Sequence, residues 1–184
     1  MADCAPLIVG LGGTLRHGSS TQFAVERALD YAGRLGATTR MFAGPELELP
    51  FYAPETPDRS QRATALVDAL RQADGVVIGS PGYHGSVSGL IKNALDYAED
   101  LSRDPRPYLD GRAVGLIAAG AGMQAAVTTL GMLRDVTHAL RGTPTPYGVV
   151  FNSTDKSRER TSKTELQLET LAEQIVALAW ALRG

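Results

Sequence analysis

The feature that most constrains this chain is a rhythm. Short apolar runs alternate with segments of helical period from one end to the other. Leu7-Ile8-Val9 opens as an apolar run and ends in Gly10-Leu11-Gly12-Gly13. Val25, Ala28, Leu29, Ala32 and Leu35 then recur on one helix face, and Gly36 reads as a stop signal. Thr38 to Phe42 is a second strand, polar enough for a sheet edge. A loop carrying Pro45, Pro50, Pro54 and Pro57 leads to a second helix with Ala63, Leu66, Val67 and Leu70 on one face. Asp74-Gly75 turns into Val76-Val77-Ile78, the continuous apolar run of a strand buried on both sides. A third helix is patterned by Val87, Leu90, Ile91, Ala94, Leu95 and Ala98. Strand Val114 to Ala119, helix Ala125 to Leu140 and strand Tyr147 to Phe151 follow. The last helix, Thr164 to Leu182, turns Leu171, Ile175, Leu178, Ala179 and Leu182 inward.

Five strand-helix units in a row predict an α/β fold with a parallel sheet and helices on both faces. Crossovers in such sheets are right-handed, which leaves two common orders. Five strands with a polar second one favour the flavodoxin-like three-layer sandwich, a five-stranded parallel sheet of order 2-1-3-4-5. No linker divides the chain, so 1-184 reads as a single domain.

Ligands of open α/β sheets bind beyond the carboxyl ends of the strands, where the order reverses. Loops after the first, third and fourth strands therefore share one mouth. The first runs Gly12-Gly13-Thr14-Leu15-Arg16-His17-Gly18-Ser19-Ser20-Thr21 into a helix N-terminus. Free N–H groups, the helix dipole, hydroxyls on Thr14, Ser19, Ser20 and Thr21, and the Arg16 charge suit a terminal phosphate. The loop has neither the Gly-Lys-Ser/Thr of a Walker loop nor a Gly-x-Gly-x-x-Gly fingerprint. Ser19 with Gln22 also reads as a plain capping box. The second loop, Ser80-Pro81-Gly82-Tyr83-His84-Gly85-Ser86, offers a fixed backbone and flat side chains to a planar ring. An ordinary turn capped by Ser86 or Ser88 is the alternative. The third, Ala119-Gly120-Ala121-Gly122-Met123-Gln124, lets a backbone approach a ligand closely, or is simply a tight turn.

Other chemistries lack their residues. His17, His84 and His138 lie in separate units without metal-ligand spacing, Cys4 is the only cysteine, and no Gly-x-Ser-x-Gly elbow appears. The net charge of -2 argues against a nucleic-acid surface, a polybasic membrane patch or a strongly acidic electron carrier. No apolar run approaches the ~20 residues of a membrane span, and Met1 to Gly10 lacks a basic signal-peptide start. The expected location is the cytoplasm. A phosphate cradle beside a ring platform, without an acid–base set, points to a cofactor that carries its own chemistry.

At these loops the chain resembles the NAD(P)H-dependent FMN reductase family, the flavodoxin-like group with chromate, quinone and azo-dye reductases and sulfonate-utilisation flavin reductases. That family's Gly-Ser-x-Arg-x-x-Ser is matched by Gly13-Thr14-Leu15-Arg16-His17-Gly18-Ser19. Its Ser/Thr-Pro-x-Tyr-x-x-Ser and x-x-Gly-x-x-Lys-Asn-Ala-x-Asp are matched by Ser80-Pro81-Gly82-Tyr83-His84-Gly85-Ser86 and Gly89-Leu90-Ile91-Lys92-Asn93-Ala94-Leu95-Asp96. Thr14 replaces the usual Ser, His84 stands where Asn or another small polar residue is common, and Met123-Gln124 intrudes in the third loop.

The resemblance implies FMN as cofactor, NADPH or NADH as hydride donor, and hydride transfer to flavin N5 without a catalytic side chain. Thr14, Arg16, Ser19 and Thr21, beside Ser20, would hold the phosphate. Pro81, Gly82, Tyr83 and His84, beside Gly85, would line the ring and present N–H groups to its pyrimidine edge; Gly120 and Gly122 would close the other side. Lys92, Asn93 and Asp96 would serve helix structure and subunit contact. It further implies a homodimer or homotetramer, and a small-molecule electron acceptor or a flavin-dependent monooxygenase as partner. The alternative is a flavodoxin-type electron carrier with no NAD(P)H oxidation of its own.

Overall fold

The computed structural model describes residues 4–183. Its strands are β1 (Leu7–Gly12), β2 (Thr38–Ala43), β3 (Gly75–Pro81), β4 (Ala113–Gly120), β5 (Thr143–Pro144) and β6 (Val149–Asn152). Its α-helices are α1 (Ser20–Arg34), α2 (Gln61–Gln72), α3 (Gly89–Asp96), α4 (Met123–Ala139) and α5 (Arg158–Leu182). The sheet is parallel, in the order β2-β1-β3-β4, with β5 and β6 both on the outer side of β4. This is the expected 2-1-3-4-5 arrangement with its fifth position split in two.

The split has a local cause. Pro144 and Pro146 have no N–H to give a ladder. Thr143 and Pro144 pair with Ala113 and Val114, and pairing resumes only at Val149 with Ile117. Between them, Thr145 through Gly148 face only Gly115 and Leu116, so the chain bulges outward. The Thr145 hydroxyl donates to the Tyr147 carbonyl at 2.8 Å, and Gln174 Oε1 accepts the Tyr147 N–H at 2.8 Å, so the bulge is held.

Side-chain alternation builds two apolar layers on one sheet. Ile8, Val77 and Ile117 pack under α1 and α5 with Val25, Leu29, Leu171 and Ile175. Val9, Leu11, Val76, Ile78 and Leu116 pack under α2, α3 and α4 with Leu66, Leu70, Ile91 and Leu133. The second strand lies at the edge as expected, with its first three residues exposed. Helix α1 ends where Gly36 predicts: Gly36 takes φ +90°, its N–H reaches the Gly33 carbonyl, and the Ala37 N–H reaches that of Ala32.

Three sequence expectations shift. The third helix is shorter, because Ser88 caps it; Val87 precedes it and Ala98 lies in a tighter 3₁₀ turn, Tyr97–Leu101. Met123 and Gln124 are the first turn of α4 rather than part of a loop. Leu182 is exposed rather than inward, at the last residue of α5. No helix among the described residues is long and apolar enough to cross a membrane.

Candidate functional site

All strands point the same way, so the loops after β1, β3 and β4 do gather at one end. Glycine allows the closeness: a Cβ on Gly13 would lie 2.5 Å from the Gly79 carbonyl oxygen and 2.6 Å from Pro81 Cδ. Ser88 then ties the first two loops together. Its hydroxyl donates to the Gly13 carbonyl at 3.1 Å and caps α3 by accepting the Ile91 N–H. Its N–H donates to Ser80 Oγ at 2.9 Å, and Ser80 Oγ donates to the Pro81 carbonyl. Ser80 and Ser88 are buried, so these bonds are shielded from water.

The first loop is both a cap and an open cradle. Ser19 Oγ accepts the Gln22 N–H at 3.2 Å, as the capping reading predicts, and pairs with Thr21 Oγ1 at 3.3 Å. Both hydroxyls are buried. One of the two donates to the other, which leaves a single hydroxyl proton of the pair to offer elsewhere. The Gln22 side chain also accepts the Gly18 N–H at 3.1 Å. Thr14 turns its hydroxyl back to the Arg16 carbonyl at 3.2 Å. Ser20 and Thr21 are the first two helical residues, whose N–H groups have no partner within the helix. Arg16 is exposed, and its guanidinium makes no hydrogen bond or ion pair with the described residues. A free guanidinium beside uncapped helix N–H groups is a fit for a phosphate.

The second loop is a two-residue hairpin. Tyr83 and Ser86 exchange backbone hydrogen bonds of 3.0 and 3.1 Å. His84 and Gly85 between them take φ +50° and +86°, the signature of a type I′ turn. This explains the His84 departure: the position demands a left-handed residue, which His tolerates and Asn prefers. It also moves the expected donors. The Gly82 N–H is occupied by the Ala119 carbonyl at 2.7 Å and the Tyr83 N–H by Ser86. The free turn amides are those of His84 and Gly85. Gly82 is small because α4 presses on it; a Cβ would sit 2.5 Å from Thr129 Oγ1. Tyr83 is half exposed and its ring is available as a platform.

In the third loop Gly120 and Gly122 differ. A Cβ on Gly120 would lie 2.8 Å from the Ala126 nitrogen, so packing fixes that glycine. Gly122 faces open space and caps α4 without a side-chain hydrogen bond. The sequence reading overlooked the segment after β6. The Ser153 N–H and hydroxyl donate to the Gly120 carbonyl at 2.7 and 3.0 Å, which fixes the third loop from outside. Its position at a strand's carboxyl end was the signal that could have found it. Asn93 proves structural: its carboxamide accepts the Tyr52 N–H and donates to the Pro50 carbonyl, pinning the Pro-rich loop. Lys92 and Asp96 form an ion pair one turn apart on α3.

Two cavities flank the mouth. One of about 260 Å³ is lined by Gly18, Ser20, Phe23, Phe151, Thr164 and Leu168, among others. The next, of about 420 Å³, includes Met123, Phe151, Asn152 and Thr164. They border the first and third loops from the α5 side and do not include Tyr83 or His84.

Comparison with known proteins agrees with this geometry. The model of the NADPH-dependent FMN reductase family matches residues 6–156, which span all three loops. An FMN-dependent NADPH-azoreductase of Staphylococcus aureus is 28% identical over 139 residues, covering 72% of this chain and 70% of the relative. An oxidoreductase from Corynebacterium diphtheriae shares the fold with a TM-score of 0.76 at 18% identity, over 97% of this chain and 98% of that one. A WrbA-like flavodoxin from Agrobacterium tumefaciens gives 0.62 at 16% identity, over 96% and 98%. The chain belongs to the NADPH-dependent FMN reductase family, flavin oxidoreductases that take their reducing equivalents from a nicotinamide dinucleotide.

Proposed function

We propose that this enzyme holds FMN across the mouth, accepts reducing equivalents from NADPH, and passes them to a small planar acceptor such as a quinone or azo dye. Bound FMN supplies the hydride-accepting chemistry. The chain's residues bind and orient. Arg16 and the N–H groups of Ser20 and Thr21 hold the phosphate, with the one free proton of the Ser19–Thr21 pair and the Thr14 hydroxyl at its side. Pro81, Gly82 and the Tyr83 ring flank the flavin ring, and the His84 and Gly85 amides face its polar edge. Gly120 and Gly122 form the opposite wall.

The observation that carries this reading is the unpaired Arg16 guanidinium beside the free Ser20 and Thr21 N–H groups at the start of α1, in a loop tied through Ser88 to the Tyr83 hairpin. The azoreductase relative supports an aromatic acceptor. Leu15 and Tyr83 on the loops and Met123 at the start of α4 stand exposed around the mouth, and we assign their cover to a second copy in a homodimer or homotetramer. A lone cysteine suits a reducing cytoplasm.

The test is an FMN titration followed by NADPH under argon. Saturable binding, bleaching of the flavin band by NADPH, and reoxidation by an azo dye with the flavin retained are expected. Arg16→Ala should weaken FMN binding about 10- to 100-fold. Unchanged binding in that variant sinks the phosphate assignment. Binding without bleaching points to an electron carrier, and release of reduced FMN points to supply of a monooxygenase.

A further inference from the structure

Gln22 is the third residue of α1 and nearly buried, yet its carboxamide reaches back out of the helix. Its Oε1 accepts the Gly18 N–H at 3.1 Å, and its Nε2 donates to Glu26 Oε1 at 2.8 Å. Gly18 is the left-handed residue of the first loop, at φ +67°. The Gln22 N–H meanwhile donates to Ser19 Oγ at 3.2 Å, so its backbone and its side chain both hold the end of the loop. The carboxylate of Glu26 accepts only, so it fixes which end of the Gln22 carboxamide faces Gly18. The three groups form a chain running from Glu26 through Gln22 to the loop.

Glu26 is otherwise a paradox. A carboxylate on the second turn of α1 opposes an anion at that helix's N-terminus. Its bond to Gln22 accounts for the placement. We propose that Gln22, oriented by Glu26, is the positioning residue that sets the phosphate loop in its anion-ready shape, and so sets the preference for FMN over riboflavin. This rests on the phosphate assignment made above. Gln22 is committed to the protein at both ends of its carboxamide, with Oε1 on Gly18 and one Nε2 proton on Glu26. It acts by removing the freedom of Gly18, the loop residue with most freedom to lose.

The prediction is selective because riboflavin lacks the phosphate and shares the ring. Gln22→Met keeps the length and removes both bonds. Its FMN dissociation constant should rise about fivefold, with that for riboflavin within about twofold of the parent. Glu26→Gln and Glu26→Leu remove the same charge, but only the first keeps an acceptor for Gln22. FMN should bind at least about twofold more weakly to Glu26→Leu than to Glu26→Gln, again with riboflavin unmoved. This pair serves if Gln22→Met does not fold, because Glu26 is exposed. Arg16→Ala is the control. If it lowers FMN affinity selectively while Gln22→Met shifts both flavins equally or neither, the positioning role is overturned and the phosphate assignment stands. If Arg16→Ala has no FMN-selective effect, both fall together.

Discussion

Replacing Arg112 should be the most damaging single change at the end of the sheet opposite the site. This arginine is only 1% exposed, and its partners are all backbone carbonyls. Nε donates to Leu70 at 2.8 Å and Nη2 to Arg71 at 2.9 Å, so it caps two of the orphan carbonyls ending α2. Nη1 donates to Asp110 at 3.0 Å and Arg106 at 3.3 Å, closing the turn that leads into β4. Burial, with Arg106 nearby, draws its pKa down to about 10, so at neutral pH it is charged. Four charge-assisted bonds at about 1.5 kcal/mol each sum to roughly 6 kcal/mol. The burial behind that lowered pKa offsets about 3 kcal/mol. Arg112→Met should therefore lose about 3 kcal/mol, lowering Tm by about 6–12 °C. Arg112→Lys should recover little, since an ammonium cannot span four carbonyls set around a planar fork. Thermal melts and urea titrations of both variants give the answer, alongside kcat of the folded fraction, which should not change. A loss under about 1 kcal/mol in Arg112→Met, or a lysine variant as stable as the parent, would refute the reasoning.

Two further effects follow from the same bonds. Arg27, by hydrogen bond and charge, holds the Glu165 carboxyl below its usual range and joins α1 to α5; Arg59 does the same to Asp100, fastening the Pro-rich loop. In each case the unfolded carboxylate takes its proton first, so stability rises with pH through this range and is lost as pH falls below about 4. Urea midpoints between pH 3 and 6 should show that slope, and Arg27→Gln should flatten it; an unchanged slope removes Glu165 from the account. In the Tyr83 hairpin, Gly85→Ala should cost roughly 1–2 kcal/mol because φ is +86°. His84→Asn should match or exceed the parent in Tm, and a clear loss would show that the imidazole does more than fit the turn.

The layers of this fold were legible because each depends on local pattern. Val76-Val77-Ile78 announces a strand covered on both faces, and burial of all three agrees. The mouth was legible because parallel strands put their carboxyl ends together, and Gly13, Pro81 and Gly120 sit there as read. What stayed hidden depends on which distant groups meet. Arg112, in Asp110-Gly111-Arg112, looks like any solvated turn; its burial follows only once the end of α2 lies against it. The split in the last strand needed the pairing partner, because two prolines alone do not say where the ladder resumes. Likewise Ser88 was foreseen as a cap, but its bond to Gly13 joins residues 75 apart in sequence.

That bond bears on how the site can work. A cofactor held at its phosphate by one loop and at its ring by another needs the two loops at a fixed separation, or affinity is lost to reorganisation. Here the separation is not left to the ligand. Gly13 touches the end of β3, and Ser88 bonds both loops from the buried start of α3. Displacing one loop therefore breaks a shielded hydrogen bond as well as a close contact. The groups proposed to meet the flavin carry no such bonds: the Arg16 guanidinium, the N–H groups of Ser20 and Thr21, the amides of the His84–Gly85 turn and the exposed Tyr83 ring. The frame is closed by the protein's own bonds, and the groups proposed to bind are left free of them. This division is what a site needs if oxidised and reduced flavin are to occupy it in turn without the loops refolding between half-reactions.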